Sequence, residues 1–285
     1  MITKKDEVLF LRPTRGLAAL NLRDLWLYRE LIYFLTWRDI LVRYKQTLLG
    51  AAWAVLVPVF QMVVFTLLFG EGGKSAPDGI PYPIFSFAGL LPWNLFAKAL
   101  GDAGRSLVMN RSMITKVYFP RVVIPIASVL GGVLDFAIAF LVLLVMMVYY
   151  SISQVGGYRL NLTPAIWTLP LFLLLALVTA LGVSLWLSAM YVIYRDVGHI
   201  LPFLTQLGLF ATPIIYASSR VPTKWQIVYA LNPMVGVVDG FRWALLGTQN
   251  GPGLMLIVSV GVAVVVLITG MFYFRHMERT FADEI

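Results

Sequence analysis

Charged positions divide the chain into long apolar runs and short polar breaks. Six runs carry few or no charges: residues 51–69, 80–97, 122–150, 164–194, 197–219 and 251–274. A helix crosses about 30 Å of hydrocarbon with about 20 mostly apolar residues, so each run predicts one membrane-spanning helix. The third and fourth exceed a single crossing and accommodate the excess by tilting. The third holds one acid, Asp135, and the second is followed by Lys98, whose long stem lets its ammonium reach the interface. Pro202 and Pro213 interrupt the fifth, which predicts a kinked or broken helix there.

Two further stretches are neither plain span nor plain loop. Residues 24–46 mix Trp26, Tyr28, Tyr33, Phe34, Trp37 and Tyr44 with Arg29, Arg38, Arg43 and Lys45. That composition suits a helix lying in the membrane interface. Its charges do not fall into one clean sector, so a cytoplasmic linker stays open as the alternative. Residues 221–247 contain Trp225, Ile227, Val228, Tyr229, Leu231, Val235, Val237 and Val238, too apolar for a solvated loop. Asn232-Pro233 and Gly236 interrupt them too much to span. A re-entrant pair of short helices is expected, because irregular backbone at membrane depth is tolerated when buried in protein. The predicted fold is an all-α polytopic membrane protein of six transmembrane helices over residues 47–285. An interfacial helix at 24–46 and a cytoplasmic tail at 1–23 precede them, and the re-entrant outer segment separates spans five and six. No internal repeat of the kind common in secondary transporters is visible.

Composition agrees. Of 285 residues, 60% are hydrophobic and 13% charged, against roughly 45–50% and about 25% in soluble domains. A soluble enzyme and a disordered chain are both excluded. Cysteine is absent, which removes disulfides, thiolate metal sites and cysteine nucleophiles, and His199 and His276 alone leave little for metal binding. The net charge of +8 matters through its placement. With the N-terminus inside, Lys4, Lys5, Arg12, Arg15, Arg23, Arg29, Arg38, Arg43, Lys45, Arg105, Arg111, Lys116, Arg121, Arg195, Arg275 and Arg279 fall on the inner side. Lys74, Arg159, Arg220, Lys224 and Arg242 fall outside, and Lys98 sits at a span end. Sixteen against five predicts both termini in the cytoplasm. The basic charge thus belongs to membrane topology and membrane lipids, and nucleic acid is not an expected partner. The N-terminal residues lack an apolar stretch of signal-peptide length, so no cleavage is expected.

Catalytic chemistry is missing from the pattern. Gly73-Lys74-Ser75 suggests a phosphate-binding loop, but the position five residues before Gly73 is Leu68 where the motif needs glycine. The runs offer no Ser/His/Asp set, no HExxH helix and no pair of carboxylates, and a membrane glycosyltransferase would need clustered carboxylates. A lone charge in hydrocarbon costs several kcal/mol, so Asp135 is either a proton-coupling site or a hydrogen-bonded carboxyl in a helix interface. Gly131 and Gly132 let another helix approach closely and favour the second. Residues 110–119, ending at Pro120, form a short basic and partly apolar element. It suits insertion into a groove on a soluble partner, or it is an ordinary positive-inside loop. Arg195-Asp196 is a second candidate of the same kind.

Four local patterns, read in order, resemble a known family. Tyr44-Lys45-Gln46-Thr47-Leu48-Leu49-Gly50-Ala51-Ala52-Trp53 with Leu56 and Pro58 opens the first span. Gly89-Leu90-Leu91-Pro92-Trp93 with Phe96 lies in the second, Tyr194-Arg195-Asp196-Val197 follows the fourth, and Asn232-Pro233-Met234 lies in the outer segment. From about residue 24 to the C-terminus the chain resembles permease subunits of ABC-2 type exporters of cell-surface polysaccharides: O-antigen, capsule and teichoic acid. The resemblance implies a half-transporter of the bacterial plasma membrane. Two copies form the channel, and two copies of a separate ATPase subunit hold ATP and Mg, leaving this chain without a cofactor or catalytic site. It implies that Arg111, Lys116, Arg195 and Asp196 meet the ATPase and that residues 221–247 form an outer gate.

The implied cargo is a polysaccharide on a lipid pyrophosphate. Arg38, Arg43 and Lys45 lead into the first span while Lys98 and Arg105 leave the second, so five cations gather if those ends are neighbours. Arg and Lys suit phosphate oxygens, although such charges also attract anionic headgroups. Arg43 and Lys98 stand nearest the hydrocarbon boundary. Phe85, Trp93, Phe96, Phe203, Phe210 and Tyr216 sit within runs rather than at their ends, and either line a glycan conduit or pack between helices. An ABC-2 exporter of lipids or drugs, and a stand-alone proton-coupled transporter centred on Asp135, are the competing readings.

Overall fold

The computed structural model describes residues 22–45, 50, 52–70, 76, 79–161, 163–248, 251, 253–278 and 280–281. The tail up to residue 21, residues 46–49 and Ala51 of the first motif, the Gly73-Lys74-Ser75 stretch and Arg279 lie outside them. Eleven α-helices and no strand occur among the described residues. They are α1 Leu22–Leu27, α2 Arg29–Lys45, α3 Ala52–Phe69, α4 Tyr82–Met109, α5 Arg111–Lys116, α6 Val123–Ile152, α7 Leu169–Ile193, α8 Val197–Ala211, α9 Thr223–Tyr229, α10 Pro233–Leu246 and α11 Leu254–Met277. Five are long and apolar enough to cross a membrane: α3, α4, α6, α7 with the 3₁₀ turn before it, and α11.

Two runs differ from their expected extent. The second does not stop at residue 97: α4 continues to Met109 and carries Lys98, Asp102 and Arg105 in its second half. A helix outlasts its charge-free run when its charges find partners on neighbouring helices, and those of α4 do. It ends where Asn110 turns out of helical geometry, with the Asn110 side chain donating to the Ser106 carbonyl at 2.8 Å. The fifth run forms only the 15 residues of α8, about 22 Å at 1.5 Å per residue. Pro213 stops it, because the residue before a proline is pushed out of helical geometry, and Thr212 is extended. Pro202 is accommodated inside the helix.

Residues 221–247 fold as two short helices, α9 and α10. Asn232 caps α10 by accepting from the Met234 N–H at 3.1 Å, Pro233 occupies the first turn, and Gly247 ends the helix at φ 64°. This is the proline-in, glycine-out signature of a helix. Residues 24–45 fold as the end of α1, a turn at Tyr28 and α2. One face of α2 docks on α6 through buried Leu35, and Thr36 bonds the Ala127 carbonyl at 3.3 Å. Its Tyr33, Phe34 and Trp37 remain exposed.

α4 is the hub. It packs against α3, α6, α7, α8 and α10, and 72% of its apolar stretch is buried, against 11% for α3. α7 and α11 approach most closely at glycines. A Cβ on Gly182 would meet the Leu267 backbone at 2.8 Å, and one on Gly270 would meet the Gly182 carbonyl oxygen at 2.4 Å. Small residues permit such backbone contact between helices in lipid, and Trp186 stacks on Tyr273 beside it at 4.3 Å. At one end of the bundle α2, α5, the start of α6 and the end of α11 share a second apolar cluster around Leu35, Ile114, Phe119, Phe274 and Phe281.

Candidate functional site

A cavity of about 390 Å³ opens between the end of α2, α3, α4 and α6. Trp53, Ala54, Val57 and Pro58 of α3, Leu91 and Leu95 of α4, and Phe136 and Ala139 of α6 give it apolar walls. Its other end is polar, with Arg43, Tyr44, Lys98 and Asp135.

The ionic end is built by three helices. Arg43 donates from Nη1 to Asp135 Oδ2 at 3.0 Å and from Nη2 to Asp102 Oδ2 at 2.8 Å. Nη1 also reaches the Gly131 carbonyl at 3.2 Å. Lys98 Nζ and the Tyr44 hydroxyl both donate to the Asp135 carboxylate as well. Local spacing makes this possible: Lys98 and Asp102 are four residues apart and share a face of α4, as Gly131 and Asp135 do on α6. Gly132 lets α6 come close, since a Cβ there would meet a Leu95 methyl at 3.1 Å. Two cations and two carboxylates in formal balance hold α2, α4 and α6 together. Next to them Asn94 Nδ2 donates to Gln61 Oε1 at 2.9 Å and ties α4 to α3.

This corrects the expectation that the spans hold no pair of carboxylates. Asp102 and Asp135, on different spanning helices, both bind Arg43. Asp102 was missed because the run ended before it, although its place four residues after Lys98 was a usable signal. Tyr44 carried no separable signal within its motif.

The chain is matched from residue 30 to residue 246 by the family described as ABC-2 type transporter. It belongs to that family. The O-antigen export system permease protein RfbA of Myxococcus xanthus is 30% identical over 92% of this chain and 98% of its own length. The protein of the same name from Klebsiella pneumoniae is 27% identical over 89% and 94%. The polysialic acid transport protein KpsM of Escherichia coli is 22% identical over 85% and 91%. The ABC-2 match begins in α2 and ends with the last residue of α10, so it contains the whole cavity and leaves α11 outside. With five apolar helices of crossing length, this ABC-2 permease is a multi-pass membrane protein.

The other expected site residues are distributed as follows. Of the five gathering cations, only Arg43 and Lys98 share the cavity. Arg38 bonds Asp39 at 2.7 Å and the Asn110 side chain at 2.9 Å, Arg105 reaches the Gly198 carbonyl at 3.3 Å, and Lys45 is exposed. Arg111 and Lys116 on α5, and Arg195 and Asp196 before α8, are all exposed. The Arg105 contact with Gly198 places the start of α8 beside the second half of α4, which runs on into α5. The six aromatics do not converge within one chain. Phe85, Trp93 and Phe96 are buried in the core, Phe203 and Phe210 are exposed on α8, and Tyr216 bonds the Tyr229 hydroxyl at 2.8 Å. Arg242, assigned by charge counting to an outer loop, is instead 2% exposed inside α10.

Proposed function

We propose that this chain is the channel-forming permease subunit of an ATP-driven exporter that moves lipid-linked, O-antigen-like cell-surface polysaccharide across the bacterial plasma membrane. What carries the reading is the likeness over almost the whole length of both chains to a permease named for O-antigen export. Two copies of this chain form the conduit, and two copies of a separate ATPase hold ATP and Mg. Family membership speaks against a stand-alone proton-coupled transporter at Asp135. Both termini are cytoplasmic, following the inner-side excess of Lys and Arg, which stands at sixteen against four once buried Arg242 is left out of the outer count. α1 and α2 lie in the inner interface, behind the 1–23 tail. α8, with the turn after it, completes the fifth of six crossings within the 47–285 transmembrane domain, and α9 with α10 forms the re-entrant outer gate. α5 and the α7–α8 connection present Arg111, Lys116, Arg195 and Asp196 to the ATPase.

The cavity suits the lipid anchor. Its apolar walls match a hydrocarbon chain, and Arg43 and Lys98 match a pyrophosphate, because cationic donors make the stronger hydrogen bonds to phosphate oxygens. A bound pyrophosphate would compete with Asp102 and Asp135 for the same N–H groups. Arg38, Lys45 and Arg105 lie outside this contact and serve the surrounding charge. Phe203, Phe210 and Tyr216 are the aromatics best exposed for the glycan, with Phe85, Trp93 and Phe96 backing them from the core. Arg43→Gln and Lys98→Gln should each retain assembly and ATPase binding. Each should weaken stimulation of hydrolysis by lipid-linked substrate about tenfold, which corresponds to about 1.4 kcal/mol and is the scale of one charge-assisted hydrogen bond. Normal export by both variants would place the pyrophosphate elsewhere.

A further inference from the structure

Among the described residues Arg242 of α10 is the charged side chain buried to 2% exposure, where α10 meets α4 and the segment that follows α8, and the export reading does not use it. Its Nε donates to the Phe85 carbonyl of α4 at 3.1 Å, its Nη2 to the Ile214 carbonyl at 2.7 Å, and its Nη1 to the Pro213 carbonyl. The guanidinium also lies 3.6 Å from the Phe85 ring centroid. Pro213 and Ile214 directly follow the end of α8, in a turn outside the helical hydrogen-bond ladder. The negative end of the helix dipole favours a cation there. A planar fork with five N–H donors presents them to these carbonyls in fixed directions, whereas a lysine offers three from one point. Gly89 makes room for it, since a Cβ there would stand 2.4 Å from Arg242 Nη2. This gives the glycine of the Gly89-Leu90-Leu91-Pro92-Trp93 motif a physical reason.

The same short segment is held from other sides. Asn232, which caps α10, donates to Thr212 Oγ1 at 2.9 Å. Tyr82 of α4 donates to the Ile215 carbonyl at 3.0 Å, and Tyr216 pairs with Tyr229 of α9. The end of α8 is therefore fastened to α9 and α10 by directed bonds. Its start lies directly after exposed Arg195 and Asp196, at the opposite end of the helix. We propose that Arg242 is a positioning residue, the joint through which movement of α8 carries the α9–α10 pair with it. The proposal rests on the reading that the α7–α8 connection meets an ATPase and that α9 with α10 gates the outer face.

The test uses the assembled transporter in right-side-out vesicles. The chain contains no cysteine, so Leu231→Cys, in the exposed α9–α10 turn, gives a single outer reporter on this subunit. Its labelling rate with a membrane-impermeant maleimide is measured with ATP loaded inside and without it. The parent should show at least a threefold change in rate on hydrolysis. Arg242→Gln should assemble, hydrolyse ATP and lose that change. A role in folding alone would lower the amount of assembled complex but leave the response per complex intact. Where Arg242→Gln fails to assemble, Gly89→Ala decides, because it displaces the guanidinium and keeps the charge. Loss of the response supports the joint, and a retained response overturns it. A parent that exports with an unresponsive reporter also overturns the joint, whereas a parent without ATP-driven export overturns the export reading beneath it.

Discussion

Asp135→Asn tests the ionic end of the cavity most directly. The Asp135 carboxylate accepts from Arg43, Lys98 and Tyr44, and its side chain is 13% exposed, against 25% for Arg43 and 34% for Lys98. Breaking a fully buried pair costs about 3–5 kcal/mol, while an exposed pair is worth about 0–1 kcal/mol. Partial exposure and the amide oxygen that asparagine retains put the cost between these, at about 2 kcal/mol. The substitution leaves two cations facing the one carboxylate of Asp102. Adding Lys98→Met removes the surplus cation, so the double variant should be more stable than the sum of the single effects by about 1–2 kcal/mol, within the range for residues in contact. Thermal unfolding in nanodiscs at a fixed scan rate, followed by tryptophan fluorescence, should show Asp135→Asn melting about 4–8 °C lower. An unchanged midpoint, or strictly additive single effects, would refute the cluster as a coupled unit.

Further outcomes follow from packing and from the exposed charged connections. Gly182→Ala and Gly270→Ala place a methyl against backbone that cannot move aside, so each should destabilise by about 1–3 kcal/mol in the same melting assay. Gly101→Ala and Gly261→Ala, with nothing within 4 Å, should stay near the parent, and equal effects at all four would contradict the α7–α11 contact. Reversing the charges of Arg111, Lys116, Arg195 and Asp196 should leave the permease in the membrane but weaken co-purification of the ATPase. Unchanged export with all four neutralised would remove that assignment.

The helices of this fold could be read from charge-free runs because hydrocarbon penalises charge so strongly. That same signal fails wherever a charge is paired. It ended α4 at Lys98, twelve residues short of Asn110, because the partners of Lys98 and Asp102 lie on α2 and α6. The proline in the fifth run marked the break that ends α8. Nothing local showed that Arg43 would reach Asp102, 59 positions away. Arg242 was misplaced for a related reason: counting assigns every cation outside a run to solvent, while three carbonyls can solvate it inside protein. Aromatic residues inside runs look alike whether they are buried or exposed, so Trp93 and Phe203 could not be told apart by pattern.

The placement of α4 also bears on how the chain enters the bilayer. It is the least apolar of the five crossing helices and the most deeply enclosed. Partitioning alone holds it weakly, since Lys98 and Arg105 are costly until their partners on α6 and α8 arrive. Of the helices that enclose it, only α3 is synthesised before it, while α6, α7, α8 and α10 follow. During synthesis α4 must therefore wait, beside the insertion machinery or at the interface, until α6 supplies Asp135. A nascent chain stopped at Met109 should be released from the membrane by alkaline extraction far more readily than one stopped at Ile152, and equal retention would show that α4 inserts unaided.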